Sequence, residues 1–485
     1  MELKSLIKNI DFELIKGSEK AEITSVQYDS RQVKPGDLFV CVTGFNTDGH
    51  KYAKDAIKLG AVAIVAERIP EGLDEYDISV VTCPDTRKAL AMISAEYYGN
   101  PSEKINVIGV TGTNGKTTIT YLIKTILENI GNKTGVIGTI RNMIDDRFLH
   151  TERTTPESLE LNELFYEMGK EDVNYAIMEV SSHSLDLKRV YGINYSTAIF
   201  TNLTQDHLDY HKTMENYMKA KGILFSVAEN AVINMDDEAG AYIKSVACGR
   251  VLTFGIDSAA DLKAEDISIS AEGVEYTLIY EGERYAVKFG IPGRFSIYNS
   301  LAAIGACLVN NIKIDDVLKG LSLSKGVPGR FQSVPNDLGI AAIVDYAHTP
   351  DGLENILKTA HEFKKGKIIT VFGCGGDRDR TKRPIMAEIV GRLSDFAIIT
   401  SDNPRSENPA QILDDVEVGI IPTKCPYYKI EDRREAINMA IKMSEKNDIV
   451  IVAGKGHEDY QIFADKTVHF DDIEEVKNAI NSLKK

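Results

Sequence analysis

The sequence of 485 residues lacks several features that define large classes of protein, and each absence excludes a class of function. Apolar runs such as residues 449–453 fall far short of the ~20 residues that a membrane span needs. Positive charge is not in excess: the formal net charge of −16 argues against a general surface for nucleic acid or anionic membranes. Residues 1–17 mix both signs of charge without a continuous apolar segment, so we expect no signal peptide.

Cysteine is sparse, and no two cysteines have the C-x-x-C spacing of a zinc or redox motif. Reduced thiols are therefore expected instead of a disulfide framework. The composition, 43% hydrophobic and 26% charged, is that of a folded globular protein, and the length suits about two to four domains. We expect a multi-domain cytoplasmic enzyme that acts as a monomer. The six cysteines are Cys41, Cys83, Cys248, Cys307, Cys374 and Cys425.

Turns and changes of pattern predict three α/β domains. Residues 1–99 have the pattern of a small mixed α/β domain. Residues 100–327 predict a parallel-sheet domain with a phosphate-binding loop, interrupted between about 250 and 290 by short alternating strands that indicate an antiparallel flap. Residues 328–485 alternate strand and helix, which is typical of a doubly wound, Rossmann-like domain.

Polar clusters follow four predicted strands of the third domain, and ligands of such sheets bind beyond the carboxyl ends of the strands. A nicotinamide fingerprint is weak here, because Arg378 stands where the last glycine should be. Forked guanidinium groups instead suit a ligand that carries carboxylates. The predicted strands are 340–346, 368–372, 396–400 and 449–453, and the arginines that follow them are Arg378, Arg380, Arg383 and Arg405.

A glycine-rich loop follows the apolar strand 105–110 and precedes an amphipathic helix that should end near Gly131. Such a loop lets backbone N–H groups close on phosphate oxygens, with Lys116 near the terminal phosphates and the Thr117 hydroxyl available to Mg²⁺. The strict motif is not met, since Val110 occupies the position of its first glycine, so a plain tight turn is the alternative. The candidate phosphate contacts are Gly112, Thr113, Asn114, Gly115, Lys116, Thr117 and Thr118.

Three other positions are chemically unusual. Glu179 ends a buried strand, where a carboxylate needs a partner, although a surface glutamate at a strand end is the alternative. His207 and His211 have the spacing of zinc ligands, but neither a cysteine nor an adjacent catalytic glutamate accompanies them. Lys221 shares the apolar face of a helix that starts near Thr213. Its amine either extends to water or has a lowered pKa and is modified or used in catalysis.

The chain resembles the Mur ligase family over essentially its whole length. The matching segments are Asp29–Arg31, Pro35–Phe39, Gly112–Thr118, Thr154–Pro156, Glu179–His183, Asn202–Leu203, Asp206–Asp209, Ala220–Lys221, Gly293–Phe295 with Asn299, Pro328–Arg330, Asp345–Pro350 and Gly454–Glu458. The resemblance implies an N-terminal domain for the UDP end of a substrate, a central ATPase domain and a C-terminal amino-acid domain.

The resemblance also implies the roles of individual residues. Lys221 matches a lysine that the family carbamylates, and Thr117, Glu179 and His207 match positions that hold Mg²⁺. Lys116, Lys221 and Arg330 are the implied catalytic residues. The other nucleotide contacts implied are Asn299, Arg330 and Asp345. The implied contacts of UDP-N-acetylmuramoyl-L-Ala-D-Glu are Ser30, Thr154, Thr155, Ser181 and Arg189.

The segment Asp402–Arg405 resembles the form of this motif that is associated with meso-diaminopimelate, whereas lysine-adding relatives usually lack the arginine. Diaminopimelate has a second carboxylate at its far end, which a bidentate arginine suits. The implied reaction is ATP-dependent addition of this amino acid to the D-Glu γ-carboxylate through an acyl phosphate. The implied amino-acid contacts are Arg378, Asp402, Asn403, Pro404, Arg405, Gly454 and Glu458.

Two alternatives remain open from the sequence. Within the ligases, the chain could add L-lysine or another diamine. From a different class, it could be a P-loop ATPase or switch protein that forms no amide, although the motifs around Ser30, Thr154 and Arg405 would then have no use.

Overall fold

The computed structural model describes residues 1–44, 47–149, 151, 153–324 and 326–483, and the side chain of Asp209 lies outside this description. The chain forms two compact units. The first consists of Met1–Leu262 with Leu301–Gly320, and the second of Lys263–Ser300 with Leu321–Lys485. In the part of the chain described, no helix is both long and apolar enough to cross a membrane.

The first unit begins with a five-stranded sheet in the order β1-β5-β4-β3-β2, of which only β1 is antiparallel to its neighbour. Apolar residues cover both faces, as expected for short buried strands flanked by helices. The elements are α1 (Leu3–Ile7), β1 (Glu13–Lys16), β2 (Val26–Gln27), β3 (Leu38–Val40), α2 (Ala53–Lys58), β4 (Ala63–Ala66), β5 (Ser79–Thr82) and α3 (Thr86–Tyr97). The mixed α/β pattern predicted for this region is therefore present within the first unit.

A larger sheet follows, in the order β13-β12-β11-β6-β10-β7-β8-β9. All neighbours from β13 to β7 are parallel, while β8 and β9 form an antiparallel edge. The elements are β6 (Asn106–Thr111), α4 (Lys116–Asn129), β7 (Thr134–Ile137), β8 (Asn142–Ile144), β9 (Arg147–Leu149), α5 (Ser158–Lys170), β10 (Tyr175–Glu179), α6 (Ser182–Asp186), β11 (Tyr195–Phe200), α7 (Leu208–His211), α8 (Met214–Phe225), β12 (Asn230–Asn234), α9 (Gly240–Val246) and β13 (Arg250–Gly255).

Three antiparallel strands form the predicted flap, with turns at Glu272-Gly273 and Glu281-Gly282. The flap begins later than predicted, because β13 pairs in parallel with β12 and belongs to the parallel sheet. The next elements are β14 (Leu262–Ser270), β15 (Gly273–Tyr280), β16 (Glu283–Phe289), α10 (Arg294–Val309) and α11 (Ile314–Ser322).

The rest of the second unit is a six-stranded sheet in the order β17-β18-β22-β19-β20-β21, parallel except at β17. Helices alternate with its strands, so the predicted doubly wound fold is confirmed. The elements are β17 (Gln332–Val334), β18 (Ala341–Asp345), α12 (Pro350–Phe363), β19 (Ile368–Cys374), α13 (Lys382–Leu393), β20 (Phe396–Ser401), α14 (Pro409–Ile420), β21 (Tyr427–Lys429), α15 (Arg433–Met443), β22 (Ile449–Ala453), the hairpin β23 (Tyr460–Ile462) and β24 (Thr467–His469), and α16 (Asp472–Ser482).

Candidate functional site

The glycine-rich loop joins the end of β6 to the first residue of α4, as its sequence predicts. Gly112 and Gly115 have positive φ angles of 151° and 88°, a backbone region that favours glycine. A Cβ at Gly112 would lie 1.8 Å from Thr201 Oγ1, so a side chain there would collide with the loop after β11. Thr117 is buried and Thr118 half-buried on the first turn of α4. The loop therefore presents a helix N-terminus to the carboxyl edge of the parallel sheet, which suits a phosphate.

The loop is held in place by the segment that follows β11. Thr113 N–H donates to the Asn202 carbonyl at 2.9 Å, and Asn114 N–H donates to Asn202 Oδ1 at the same distance. Thr113 Oγ1 also lies 3.2 Å from the Tyr217 hydroxyl on α8. Lys116 Nζ donates to the carbonyls of Gly112 and Thr113 at 2.9 and 2.8 Å, so its ammonium lies over the loop.

Glu179, the last residue of β10, is almost completely buried (1% exposed), which excludes the surface alternative. Its Oε1 accepts hydrogen bonds from Thr117 Oγ1 and from Thr139 N–H, both at 3.0 Å. Its Oε2 accepts one from Thr139 Oγ1 at 3.0 Å. A carboxylate and a hydroxyl thus meet beside the phosphate-binding loop, and these oxygen donors fit the preference of Mg²⁺. Thr139 was not found from the sequence, because the loop after β7 has no distinctive pattern.

Lys221 lies on the face of α8 that the helical spacing predicts, together with Tyr217, Leu224 and Phe225. The residue is 1% exposed, so the alternative in which its ammonium extends to water is wrong. Its Nζ lies 4.4 Å from the centre of the Tyr217 ring. Burial lowers the pKa of Lys221 well below the ordinary value, and the charge of Lys116 lowers it further. The lowered pKa favours the neutral amine, which is the form that has a nucleophilic lone pair.

Three imidazoles gather near this lysine. The His183 ring centroid lies 4.8 Å from that of His207 and 5.4 Å from that of His211. His207 has a positive φ of 52° and caps α7, with Nε2 3.4 Å from Asp206 Oδ2. Burial lowers the pKa of His211, and the neighbouring His183 adds to this effect. The lowered pKa favours the neutral form of His211, and neutral imidazole is the form that binds metal ions.

The motif around Thr155 is attached directly to the strand that ends in Glu179. Thr155 Oγ1 donates to the Glu179 carbonyl at 2.8 Å and accepts from Ser181 N–H at 3.1 Å. Thr154 Oγ1 lies 3.0 Å from Thr139 Oγ1, which also contacts the Glu179 carboxylate. Ser181 caps α6 through a hydrogen bond from Ser184 N–H. These hydroxyls therefore lie next to the buried carboxylate.

A cavity of about 1510 Å³ in the first unit is lined by both Ser30 and Arg189, which the sequence places 159 positions apart. Arg189 Nε lies 2.8 Å from Glu157 Oε1, and Nη1 donates to the Thr155 carbonyl at 3.4 Å. Arg87 and Arg153 also face Glu157, each with an N–O distance of 3.7 Å. Three guanidinium groups around one carboxylate leave local positive charge beside Glu157, which suits an anionic group of a ligand. The lining as a whole holds five arginines and six carboxylates, so this excess is confined to that corner of the cavity.

In the second unit, Arg330 and Asp345 lie where β17 and β18 pair. The Arg330 guanidinium stands 4.8 Å from the centre of the Tyr346 ring. Asp345 accepts from Phe331 N–H at 2.6 Å and from Ala347 N–H at 2.8 Å. Burial raises the pKa of Asp345, whereas Arg330 lowers it. Asn299 is buried within α10.

The predicted amino-acid contacts occupy loops beyond β19, β20 and β22, as the parallel sheet requires. Asp402, Asn403 and Pro404 are buried, and Asn403 Nδ2 donates to Glu458 Oε2 at 2.9 Å. Gly454 has a φ of 124°, and a Cβ there would lie 2.9 Å from Asp402 Oδ2. The loops after β20 and β22 are therefore in contact.

The four arginines at this edge of the sheet differ in their exposure and in their ion pairs. Arg405 has a positive φ of 52° and donates from Nη1 to the Gly376 carbonyl at 2.8 Å, while Arg378 is exposed. Arg383 is 1% exposed and forms ion pairs of 2.8 Å with Glu407 and with Asp415, and Arg380 also pairs with Asp415. The expectation that all four arginines suit a ligand is wrong for Arg383, which is buried and paired with two carboxylates of the protein.

The loop of Gly112–Gly115, Lys116 and the Glu179–Thr117 pair together have the form of a P-loop nucleotide site. Three family models match the chain: "Mur ligase family, catalytic domain" at residues 22–98, "Mur ligase middle domain" at 110–307, and "Mur ligase, glutamate ligase domain" at 329–456.

Full-length relatives agree with these matches. A protein of Clostridium botulinum named UDP-N-acetylmuramoyl-L-alanyl-D-glutamate–2,6-diaminopimelate ligase is 52% identical over 100% of both chains. A protein of Clostridium acetobutylicum, named as ligase 1 of the same kind, is 50% identical over 100% of both. A solved structure of a ligase of that name has a TM-score of 0.75 at 32% identity, covering 100% of this chain and 99% of the other. The chain belongs to the Mur ligase family.

Family membership confirms the resemblance and the α/β fold class that the sequence predicts. The domain boundaries at residues 99 and 327, and the roles given to individual residues, stay predictions.

Proposed function

We propose that the protein is an ATP-dependent amide ligase that adds meso-diaminopimelate to the D-Glu γ-carboxylate of UDP-N-acetylmuramoyl-L-Ala-D-Glu, a step of peptidoglycan synthesis. The observation that carries this proposal is identity of about half the residues, over the full length, to relatives named for this activity. The P-loop and the Asp402–Arg405 segment both support it, since an ATPase that forms no amide needs the P-loop but has no use for that segment. We also propose that the protein is a cytoplasmic monomer, because ATP and UDP-linked substrates are supplied in the cytoplasm.

The reaction has two steps. The γ-carboxylate attacks the γ-phosphorus of ATP, and the bond between that phosphorus and the β,γ-bridging oxygen breaks. The products of this step are an acyl phosphate and ADP. The uncharged amine of diaminopimelate then attacks the acyl carbon, inorganic phosphate leaves, and the amine nitrogen loses a proton. Phosphorylation supplies the leaving group that a free carboxylate lacks. Lys116 and Arg330 stabilise the charge of the transferred phosphoryl group, and positioning accounts for most of the rate.

Magnesium fits the oxygen donors at the end of β10. Thr117 Oγ1 lies 3.0 Å from a Glu179 carboxylate oxygen, and both are buried beside the loop. These oxygens would hold a Mg²⁺ ion, which neutralises negative charge of ATP when the ion is bound. Thr139 keeps the carboxylate oriented through two hydrogen bonds. The other nucleotide contacts proposed are Asn299 and Asp345.

Lys221 is proposed to carry a carbamate. Its neutral amine attacks CO₂, an N–C bond forms and the nitrogen releases a proton, so a neutral amine becomes a carboxylate-like anion. Burial favours the neutral amine that this reaction needs, because it lowers the pKa of Lys221. The carbamate and His207 would together hold a second Mg²⁺.

The acceptor substrate is assigned to the cavity of the first unit. Ser30 lines it at the N-terminal sheet, and Arg189 lines it near Thr155. The hydroxyls of Thr154, Thr155 and Ser181 approach the Glu179 strand end, where the γ-carboxylate must meet ATP. The cavity is large enough for a nucleotide-linked sugar peptide.

The cleanest test of this chemistry uses muramoyl dipeptide labelled with ¹⁸O in the γ-carboxylate. An acyl phosphate route requires transfer of one labelled oxygen to inorganic phosphate for each amide formed. Mass spectrometry of the phosphate and of the tripeptide product reads both events in one reaction. Labelled tripeptide with unlabelled phosphate would exclude the acyl phosphate, and phosphate release without the dipeptide would favour the bare ATPase.

Arg189→Met is expected to raise the KM for the muramoyl dipeptide about 10- to 100-fold and to leave the KM for ATP nearly unchanged. The reason is the loss of charge-assisted hydrogen bonds, typically worth about 1.5–3 kcal/mol each. Steady-state kinetics with each substrate varied in turn measure the effect. Arg284→Met, which removes a surface arginine paired with Glu265 and Asp266, is the control. An unchanged KM for the dipeptide would contradict the assignment of the cavity.

Arg405→Met is expected to raise the KM for meso-diaminopimelate about 10- to 100-fold, because the far carboxylate loses a bidentate partner. Any use of L-lysine, which has no such carboxylate, should change little, so selectivity falls. Competition between the two amines, read from the ratio of tripeptide products, measures the change. Arg392→Met, on the exposed side of α13 and facing Glu388, is the matched control. Equal loss with both amines would contradict the role given to Arg405.

A further inference from the structure

Lys455 is a fully buried lysine (0% exposed) in the loop after β22, and neither the resemblance nor the proposed mechanism gives it a role. Its Nζ donates to Asn403 Oδ1 at 3.1 Å and to Glu458 Oε2 at 3.2 Å. Asp402 Oδ1 lies 3.8 Å away. One buried ammonium thus lies within 4 Å of three residues that the family resemblance implies as contacts of the incoming amino acid.

Lys455 and the backbone N–H of Ile462 together fix the orientation of the Asn403 amide. Asn403 Oδ1 faces two donors, Lys455 Nζ and the N–H of Ile462 at 3.0 Å. A flipped amide would place its NH₂ group against both donors, which is strongly unfavourable. The amide nitrogen is therefore directed to Glu458 Oε2, to which it donates at 2.9 Å.

The same contacts orient the Glu458 carboxylate. Both hydrogen bonds, from Lys455 and from Asn403, reach Oε2 and not Oε1. The Glu458 side chain is 17% exposed, whereas Lys455 behind it is fully buried, so Oε1 is the oxygen offered to a ligand.

Charge balance within this cluster points to a cationic ligand group. Arg433 and Asp472, both with fully buried side chains, neutralise each other at 2.7 Å. Asp402 and Glu458 share Lys455 as a counter-ion, so two carboxylates face one ammonium. The five groups together carry one excess negative charge, which the ammonium of an amino acid would balance.

We propose that Lys455 is a positioning residue of the amino-acid site: it holds Asn403 and Glu458 so that Glu458 Oε1 receives an ammonium of the incoming diamino acid. This inference rests on the proposed function, and it deepens the amino-acid contact that the family resemblance implies for Glu458. Lys455 itself contacts no substrate and acts through the carboxylate.

Lys455→Met keeps most of the side-chain length and removes the charge. At saturating ATP and muramoyl dipeptide, we expect the KM for meso-diaminopimelate to rise about 10- to 100-fold, with kcat changed much less and the KM for ATP unchanged. Lys466→Met, at an exposed lysine of the same unit, is the control and should match wild type. Thermal unfolding and the KM for ATP report whether each variant is folded.

A double-variant cycle separates positioning from simple structural support. If Lys455 acts through Glu458, the double variant Lys455→Met with Glu458→Gln should be about as impaired as Glu458→Gln alone. Independent, multiplicative effects would overturn the inference, as would an unchanged KM for diaminopimelate in a folded Lys455→Met protein.

If Lys455→Met does not fold, Asn403→Asp tests the same geometry without changing volume. Its carboxylate replaces the donor to Glu458 Oε2 with a repelling oxygen, so the KM for diaminopimelate should rise at least tenfold. A KM equal to that of wild type would overturn the inference. A wild-type protein that ligates no diaminopimelate would contradict the proposed function as well, so the two failures are distinguishable.

Discussion

Lys221→Met is expected to lower the rate of ligation by about three orders of magnitude or more. The variant keeps the apolar stem that packs in the core of the first unit but has no amine to form a carbamate. It therefore loses an anion that would help to neutralise the transferred phosphoryl group, an effect of several kcal/mol in sites of this kind. Phosphate release and tripeptide formation, measured together, report the loss.

The control and a direct observation of the modification sharpen this prediction. Lys219→Met removes a lysine of the same helix that is exposed and bonded to Glu215 at 2.6 Å, and it should retain full activity. Wild type kept in ¹³CO₂ should show one carbamate carbon resonance that Lys221→Met lacks. A Lys221→Met protein with near-normal kcat would exclude any catalytic use of the lysine.

Lys116→Met is expected to cost a comparable factor in kcat, about a thousandfold. In the structure its ammonium lies over the carbonyls of Gly112 and Thr113, within reach of any phosphate that the loop binds. Loss of this charge removes stabilisation that develops as the phosphoryl group is transferred. Single-turnover kinetics of phosphate formation isolate this step from product release.

A lysine two turns further along α4 provides the comparison. Lys124 forms an ion pair with Glu128 on the same helix, so Lys124→Met tests loss of charge without loss of the phosphate contact. It should alter activity less than twofold, since such helical pairs contribute only about 0.3–0.5 kcal/mol to stability. Equal losses in the two variants would show that the effect of Lys116→Met is not specific to the loop.

The sequence predicts most of the parallel sheets because buried strands are continuous apolar runs. The bounds of β22 (Ile449–Ala453) match the predicted strand 449–453, since this run has a clear apolar pattern and a clear end. The flap is less predictable: β13 lies in the range 250–290 that was predicted to hold short alternating strands, and its pairing with β12 shows that it belongs to the parallel sheet.

Residues that follow strand ends are predictable as a group but not one by one. Topology brings Arg383 and Arg405 to the same edge, yet only the fold shows that Glu407 and Asp415 neutralise Arg383. Those carboxylates lie 24 and 32 positions away, and no local pattern links them to the arginine.

Contacts between distant segments explain what the sequence did not predict. Helical spacing placed Lys221 on an apolar face, but its burial depends on how α8 packs in the first unit. Lys455 was part of a recognised motif, and its role emerges only from contact with Asn403, 52 positions away. The contacts of Glu157 with three arginines in the cavity were not predicted, because these arginines are spread from residue 87 to residue 189.

The most direct test of the account is phosphate release from ATP and Mg²⁺ in the presence of UDP-N-acetylmuramoyl-L-Ala-D-Glu, with meso-diaminopimelate, with L-lysine and with no amine. The account predicts stoichiometric release and tripeptide formation with diaminopimelate, and little release in the other two reactions. Equal release with L-lysine would contradict the selectivity assigned to Arg405, and release without the muramoyl dipeptide would contradict the ligase itself.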